Sequence, residues 1–265
     1  MLPVFLINLD RSPDRLRRME AEFQRSGLVF RRFPAVDGTK LPERVKRYFC
    51  DAADNIISAL YPDRIGQIGC YASHMCVWQW LAAGELGPSI LICEDDLALP
   101  CDLSALIDEV ASSTSQGWDI IRLSSPTKRK TARLAQLRGG RFLVHCERVP
   151  PGTGAYLISR TGAAKLLKPR ICHRAVDEDL ARPWLFDLKQ YAVVPPPVVQ
   201  NIGQSLIEAT DGAYATLFKR GRTMSFRLQR VYERFRRHGF NLRRLGLHRW
   251  LRMMLSRNGP QQKAP

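Results

Sequence analysis

The stretch PSILICEDDLALP, residues 88–100, decides the fold, because a short apolar run there ends in three acids, Glu94, Asp95 and Asp96. The apolar run, residues 90–93, is too short for a helix and predicts a strand buried on both faces. Ligands of open α/β sheets bind at the carboxyl ends of the strands. Clustered carboxylates at that edge suit Mg²⁺ or Mn²⁺ carrying a phosphate. An acidic triplet alone is a weak motif, so its position after a strand is what supports a cation site.

The composition is typical of a folded protein with a substantial core. The chain has 265 residues, of which 45% are hydrophobic, which allows one large domain or a domain with an appendage. No run approaches the roughly 18 apolar residues of a membrane span, and residues 2–9 lack the features of a secretory signal. Seven cysteines without a CxxC pair indicate reduced, buried thiols. We therefore expect a cytoplasmic protein that is neither exported nor inserted into a membrane.

The net charge of +16 is concentrated near the C-terminus. Residues 219–265 contain 14 Lys and Arg against the acid Glu233, whereas residues 1–218 contain 27 basic and 24 acidic residues. We therefore divide the chain into a nearly balanced body, 1–218, and a basic tail, 219–265. Apolar residues recur among the tail's arginines, which predicts two basic amphipathic helices broken at Gly239. Such helices suit an anionic membrane surface; nucleic acid is the competing partner, and docking of the apolar face on the body is a third possibility.

The N-terminal residues predict a parallel βαβ unit. Residues 4–9 form an apolar strand, a Ser-Pro pair then starts a helix, and residues 28–33 form a second strand. This order implies parallel strands joined by a helix. The loop after the first strand contains Asn8, Asp10 and Arg11, of which the last two are also ordinary as helix-entry charges.

The centre of the chain predicts one long helix and several strands. Residues 69–83 read as a helix in which His74 is either a satisfied core residue or a catalyst. Residues 118–123, 142–146 and 155–158 read as strands. The charged segment 127–140 predicts a mobile surface loop. In the PPGTG segment, residues 150–154, the glycines either bring backbone amides close to a ligand or permit a turn.

A second acidic cluster follows at residues 177–179, Asp-Glu-Asp. Two distant acidic clusters can converge only through the fold, but metal-assisted group transfer would use two. One set would hold the cation, and the other would supply a general base. The alternative is a surface network in which these acids pair with Arg170, Arg174 and Arg182.

Taken together, these residues resemble glycosyltransferase family 25, which comprises the lipooligosaccharide galactosyltransferases and their collagen-modifying relatives. The resemblance rests on an ordered series in which each piece is weak and the combination is highly specific. The series is INLDRS at residues 7–12 with Arg15, AVDG at 35–38, GC at 69–70 with SH at 73–74, EDD at 94–96, GAYLIS at 154–159 and VD at 176–177.

The resemblance implies an α/β fold of the GT-A type, a nucleotide-binding, mostly parallel sheet flanked by helices. It implies an inverting hexosyltransferase that moves a hexose, with galactose expected, from a UDP-sugar to a saccharide hydroxyl of a lipooligosaccharide or LPS-type glycan. It also implies a divalent cation, Mn²⁺ or Mg²⁺, at a DxD-like motif that is spelled EDD here. Asp96 and Glu94 would hold the metal, while Glu94 and Asp95 would support the donor.

The remaining roles are hypotheses. The nucleoside would be held by Asn8, Asp10, Arg11, Asp37 and Gly38. Further contacts to the donor would come from Ser73, His74, Gly152, Gly154 and Tyr156. An inverting displacement needs a carboxylate that takes the proton of the acceptor hydroxyl, for which Asp177 is the candidate and Glu178 the substitute.

Two other functions compete with this interpretation. One is a metal-dependent phosphoesterase that uses the same acids, and the other is a basic membrane- or nucleic-acid-binding protein with a degenerate transferase body. Neither predicts the loop at residues 8–11 or the GTGAY segment, so a transferase is favoured. For the tail, we expect peripheral attachment to the inner face of the cytoplasmic membrane, where a lipid-linked acceptor would lie.

Overall fold

The computed structural model describes residues 2–51, 65–114, 117–125, 127, 129–200 and 224–256. The strands are β1 Val4–Asn8, β2 Arg31–Pro34, β3 Ser89–Cys93, β4 Leu97–Ala98, β5 Ile120–Arg122, β6 Thr131–Gln136, β7 Phe142–Cys146, β8 Ala155–Ser159, β9 Gln190–Val194 and β10 Val199–Gln200. The helices are α1 Pro13–Arg25, α2 Glu43–Lys46, α3 Ile65–Ala83, α4 Leu103–Ser112, α5 Arg160–Leu166, α6 Val176–Leu180, α7 Met224–Leu245 and α8 Leu247–Leu255.

Within these residues, eight strands form one mixed sheet in the order β2-β1-β3-β8-β5-β9-β7-β6. Strands β7 and β8 run against the other six, and β4 pairs with β10 in a small antiparallel ribbon. The parallel pairing of β1 with β2 confirms the predicted βαβ unit. The prediction of an α/β fold with a large sheet flanked by helices is also confirmed.

The direction of the strands gathers the polar loops at one edge of the sheet. The carboxyl ends of β1, β2, β3 and β5 meet there. Because β8 runs the other way, its first residue, Ala155, lies at the same edge, opposite Cys93. The acids that follow β3 therefore face the PPGTG segment that precedes β8.

Two apolar cores cover the two faces of the sheet. Side chains alternate across each strand, so Ile90 and Ile92 join one core, while Leu91 and Cys93 join the other. The first core is completed by α3, α5 and α6, and the second by α1 and α4. This double coverage explains why β3 is apolar at every position that it buries.

Helix α3 lies unusually close to the loop after β2, at Gly38 and Gly69. A Cβ atom at Gly69 would lie 2.5 Å from the Val36 carbonyl oxygen, and one at Gly38 would lie 2.0 Å from that of Ile65. The Ser73 hydroxyl accepts a hydrogen bond from the Val36 amide at 2.8 Å and donates one to the Gly69 carbonyl at 2.7 Å. The glycines permit this close approach, and Ser73 fixes it.

The segment 127–140 is not simply a loop, which corrects the prediction. It contains β6, which pairs antiparallel with β7 at the edge of the sheet and is irregular between Arg133 and Ala135. The two exposed positions of β6 are Arg133 and Gln136. The charges that flank the strand, at Arg129, Lys130 and Arg138, hid it in the sequence.

The tail prediction also needs correction. Helix α7 runs through Gly239, and the break lies at Gly246, whose φ is +73°. A glycine inside a helix costs only about 1 kcal/mol relative to alanine, whereas a positive φ ends the helix. Residues 219–223 and 257–265 lie outside the described residues. Among the described helices, none combines the length and hydropathy that crossing a membrane would need.

We predict opposite effects for two glycine-to-alanine substitutions in helices. Gly69→Ala should destabilise the protein by about 2 kcal/mol, because the new methyl group would press on the backbone of Val36 and Gly38. Gly239→Ala should stabilise it by about 0.5–1 kcal/mol, because an added Cβ there meets nothing within 4 Å. Chemical denaturation of both variants measures the two changes, and equal effects would contradict the close approach.

Candidate active site

Asp95 is held by the first βαβ unit. Its two carboxylate oxygens accept hydrogen bonds from Asn8 Nδ2 and Arg15 Nη1, each at 2.8 Å. Asn8 is buried, and its Oδ1 accepts from Arg32 Nε at 3.0 Å. The described side-chain contacts of Asn8 therefore join the acidic triplet to β2 and the start of α1.

Glu94 is held by a different set of groups. Its amide donates to the Gly154 carbonyl at 2.8 Å, and its Oε1 accepts from Thr153 Oγ1 at 2.5 Å. The same oxygen lies 3.4 Å from His74 Nε2. Burial opposes ionisation of this carboxyl, but the bonds from His74 and Thr153 outweigh it and lower its pKa. Glu94 is thus a charged and oriented carboxylate.

A buried hydrogen-bond chain orients His74. Trp78 Nε1 donates to the Tyr156 hydroxyl at 2.9 Å, and that oxygen lies 2.8 Å from His74 Nδ1. Since the Trp78 group can only donate, a neutral His74 accepts the Tyr156 hydroxyl proton at Nδ1 and keeps its own proton on Nε2, which faces Glu94. His74 and Tyr156 are fully buried, and their described contacts orient Glu94 and each other.

Asp96 has a carboxylate oxygen that accepts no hydrogen bond within the described part of the chain. Its Oδ2 accepts from Gln200 Nε2 at 3.0 Å, whereas its buried Oδ1 has no hydrogen-bond partner among the described residues. Burial, followed by the charge of Glu94, raises the pKa of Asp96 to about 6. A divalent cation would satisfy this oxygen and relieve the repulsion, so Asp96 together with Glu94 fits a hard cation such as Mg²⁺ or Mn²⁺.

A second trio, Cys70, His74 and Glu94, places one possible ligand atom from each residue within 4.8 Å of the others. Burial raises the pKa of Cys70 well above its ordinary value, and the acids around it raise it further. Without a metal the thiol is therefore protonated, and a cation would have to displace that proton in order to bind there. Since His74 Nε2 also directs its proton at Glu94, this trio fits a hydrogen-bonded cluster better than a metal site.

Arg122 is a site residue that sequence reasoning missed. It is fully buried at the end of β5, donates through Nη2 to the Gly152 carbonyl, and leaves Nη1 without a partner in the described part of the chain. Burial lowers its pKa to about 10, and the charges of Asp177 and Glu94 act against that shift. A charged residue at the end of an apolar strand was the available signal. Arg122 supplies the positive charge between the two acidic clusters.

The second acidic cluster lies on α6, and its three acids have different surroundings. Asp179 is buried and accepts from the Tyr71 hydroxyl at 2.8 Å, with Arg170 at 3.6 Å. Glu178 pairs with Arg182 at 3.6 Å. The predicted arginine network is therefore present for these two acids.

Asp177 instead lies close enough to the first cluster for the charge of Glu94 to act on it. Burial raises the pKa of its carboxyl, backbone amides and Arg122 lower it, and the charge of Glu94 raises it again. The two clusters, 81 positions apart at Asp96 and Asp177, thus lie near each other in the fold, which the sequence had left open.

Three further predicted residues follow β1 and β2 at the same edge of the sheet, and unlike Asn8 they are open to solvent. Asp10, Arg11 and Asp37 are exposed. Hydrogen bonds from Thr39 lower the pKa of Asp37, and the nearby charge of Arg11 lowers it further. These three side chains remain accessible for a nucleotide.

The predicted site glycines allow close contacts and a backbone conformation that other residues would disfavour. Gly38 is buried against α3, and Gly152 has a φ of +109° that favours glycine. A Cβ at Gly154 would lie 3.0 Å from a Leu97 methyl and 3.1 Å from Ser124 Oγ. The glycines therefore let the PPGTG segment pass close to the acids.

The family profile and three curated relatives that match this chain all belong to one family. The profile of glycosyltransferase family 25 (LPS biosynthesis protein) matches residues 1–178. A glycosyltransferase 25 family member of Aedes aegypti is 28% identical over 196 residues, which cover 69% of this chain and 31% of that protein. A family member of Drosophila melanogaster is 30% identical over 195 residues, with 69% and 30% covered. A Bos taurus protein named probable inactive glycosyltransferase 25 family member 3 is 30% identical over 195 residues, with 69% and 31% covered.

The matched part of these curated relatives is about a third of their length. Among solved structures, A197 from STIV is 12% identical with a TM-score of 0.36, covering 72% of this chain and 81% of that one. A glycosyltransferase involved in glycosylation of the major capsid of PBCV-1 is 10% identical with a TM-score of 0.35, covering 81% and 98%. Both scores are too low to support an argument about the fold.

We predict that Asp96→Asn raises the melting temperature of the metal-free protein at pH 7.5. The pKa of Asp96 is about 6 in the folded protein against an ordinary value of 3.8, so ionisation opposes folding. This penalty is absent below about pH 4, grows between about pH 4 and 6, and is complete above that range. The stabilisation by Asn should therefore vanish near pH 4.

Asp108→Asn is the matched control, because Asp108 is an exposed acid on α4. Scanning calorimetry at several pH values compares the two variants. A destabilised Asp96→Asn protein at pH 7.5 would show that the carboxylate is satisfied without a cation.

Proposed function

Because the chain belongs to glycosyltransferase family 25, we propose that it transfers a hexose, with galactose expected, from a UDP-sugar to a saccharide hydroxyl. The acceptor would be a glycan of the lipooligosaccharide or LPS type, in keeping with the family description. The activity, donor and acceptor are proposals, since the chain matches about a third of the length of its curated relatives.

One observation carries this proposal. The Oδ1 atom of Asp96 is buried without a described partner, beside the charged Glu94 and at the edge where the strands end. A carboxylate left in this state destabilises the protein unless something positive binds to it. Such an arrangement suits an enzyme that holds a cation and a diphosphate, and it supports a GT-A type of donor site.

The donor would lie across the edge of the sheet. Asp96 and Glu94 would hold Mn²⁺ or Mg²⁺, and when bound the cation supplies positive charge to the departing diphosphate. Asp10, Arg11 and Asp37 are exposed at the ends of β1 and β2 and would contact the nucleoside. The backbone of Gly152 and Gly154 would form the floor under the donor sugar.

Asp177 is the proposed general base. An inverting displacement needs a carboxylate that faces the acceptor hydroxyl and takes its proton as the bond to the sugar forms. Burial raises the pKa of Asp177, with Glu94 contributing in the same direction, so the ionised carboxylate is a stronger base than an ordinary aspartate. Glu178 is less suited, because its carboxylate already pairs with Arg182.

Arg122 would favour the ionised forms of Asp177 and Glu94 through its positive charge. It lies between the acidic clusters, and the charges of Asp177 and Glu94 both act on its guanidinium. It also donates to the carbonyl of Gly152, next to Thr153, whose hydroxyl holds Glu94. Arg122 thus connects the base, the glycine segment and the cation ligands.

We predict that Asp177→Asn lowers kcat by about 10²–10⁴-fold while the donor still binds. Turnover is measured with a panel of UDP-sugars and a saccharide acceptor, with Mn²⁺ and with EDTA. Donor binding is measured separately, as the shift in melting temperature when UDP-sugar and Mn²⁺ are added. The amide cannot accept the proton, but it keeps the size of the side chain.

Glu178→Gln tests the substitute base, and Asp108→Asn controls for the loss of a surface charge. A large loss in Glu178→Gln alone would assign the base to Glu178. Near-normal turnover in both variants would contradict a base on α6. Hydrolysis of simple phosphoesters without any sugar transfer would indicate a phosphoesterase instead.

A further inference from the structure

The tail packs on the body through the polar face of α7. Asn241 is buried, donates to the Glu147 carbonyl at 2.8 Å, and lies 3.1 Å from His145 Nε2. Arg237 pairs with Glu147 at 3.1 Å, and Phe240 is buried beside these groups. The face of α7 that meets the body is therefore fixed by hydrogen bonds and an ion pair.

The opposite face of α7 is apolar and exposed. Leu228, Val231, Phe235 and Leu242 are separated by three, four and seven residues, which places them on one side of a helix. All four are exposed, and Phe235 retains 72% of its accessible surface. Soluble proteins rarely expose such a contiguous apolar stripe unless it binds something.

Helix α8 repeats this arrangement. Met253 is buried, whereas Leu247, Leu251 and Leu255 follow each other at four-residue intervals on another side and are exposed. Leu255 retains 82% of its accessible surface. Both tail helices thus use one face to pack and leave an apolar face outward. The sequence could not distinguish this from apolar docking on the body.

Basic side chains border the stripe. Arg234, Arg236 and Arg243 are exposed on α7, and Arg249 and Arg252 are exposed on α8. A cleft of about 420 Å³ also opens between the tail and the body, with Lys189, Arg243, Arg244 and Arg249 in its lining. Apolar side chains flanked by arginines match a surface that is apolar inside and anionic outside.

We propose that α7 and α8 form a membrane-binding surface whose partner is a bilayer with anionic headgroups. The exposed leucines and Phe235 would enter the acyl boundary, while the bordering arginines would contact phosphates. A second copy of the chain fits less well, because residues 219–265 carry 14 basic residues and one acid, so two such faces repel each other. Nucleic acid would use the arginines and leave the apolar stripe in water.

Helix α7 lies beside α6 through its packed face, opposite the apolar stripe. Glu233 on α7 is 3.4 Å from Arg182 Nε and 3.8 Å from Arg174 Nη2, and these arginines flank the acids of α6. Resting on the proposed function, the attached membrane would hold a lipid-linked acceptor near α6 and Asp177, with α7 lying between the membrane and α6. Membrane binding itself does not depend on that function.

The test is flotation of the full-length protein with vesicles. Phosphatidylcholine vesicles with and without roughly one-third phosphatidylglycerol compare a neutral with an anionic surface. We expect binding to the anionic vesicles only, weakened by salt. The double variant Leu228→Ser, Phe235→Ser should bind at least about tenfold more weakly, because two apolar side chains no longer enter the bilayer. Arg234→Gln should weaken binding about fivefold.

Val29→Ser is the matched control, because Val29 is an exposed apolar residue outside the tail, and its variant should float like the wild type. Circular dichroism establishes that each variant is folded. The proposal is overturned if the wild type does not float, or if the double variant floats equally well.

Two further results would also overturn it. One is a concentration-dependent dimer, seen by analytical ultracentrifugation, that the double variant abolishes while vesicles stay unbound. The other is salt-sensitive oligonucleotide binding without vesicle binding. A protein that floats but transfers no sugar would contradict the proposed function and leave this surface supported.

Discussion

The ion-paired carboxylate of Asp95 is the contact on which the site depends. Asn8 at the end of β1 and Arg15 on α1 use both of its oxygens. These contacts fix the middle of the acidic triplet to the first βαβ unit, so the outer acids point elsewhere. A buried charge that loses its partner is strongly destabilising, which keeps this arrangement rigid. Asp95 therefore has a structural role, whereas Glu94 and Asp96 can contact a ligand.

The sequence predicted the parts of the fold that follow from local pattern. The apolar run before Glu94 became β3, and the unit that begins at β1 is parallel as expected. Local pattern is sufficient there, since a doubly covered sheet needs apolar strands and leaves polar residues only at their ends.

The sequence could not show which way each site side chain points. Asn8 lies 87 positions from its partner Asp95, and His74 lies 82 positions from Tyr156. Such pairs are decided by packing that no local window contains. Arg122 was missed for the same reason, because its buried charge makes sense only beside Glu94 and Asp177. Strand β6 was hidden because the charges of the surrounding segment, 127–140, resemble those of a loop until β7 provides a pairing partner.

The position of β6 gives the tail a structural consequence of its own. β6 is the last strand of the sheet, and α8 packs against it, with Lys130 hydrogen-bonded to the Met254 carbonyl. An uncovered edge strand is a template for pairing with other chains. A chain shortened at residue 218 would therefore lose the cover of its own edge strand and leave β6 open to pairing with other chains.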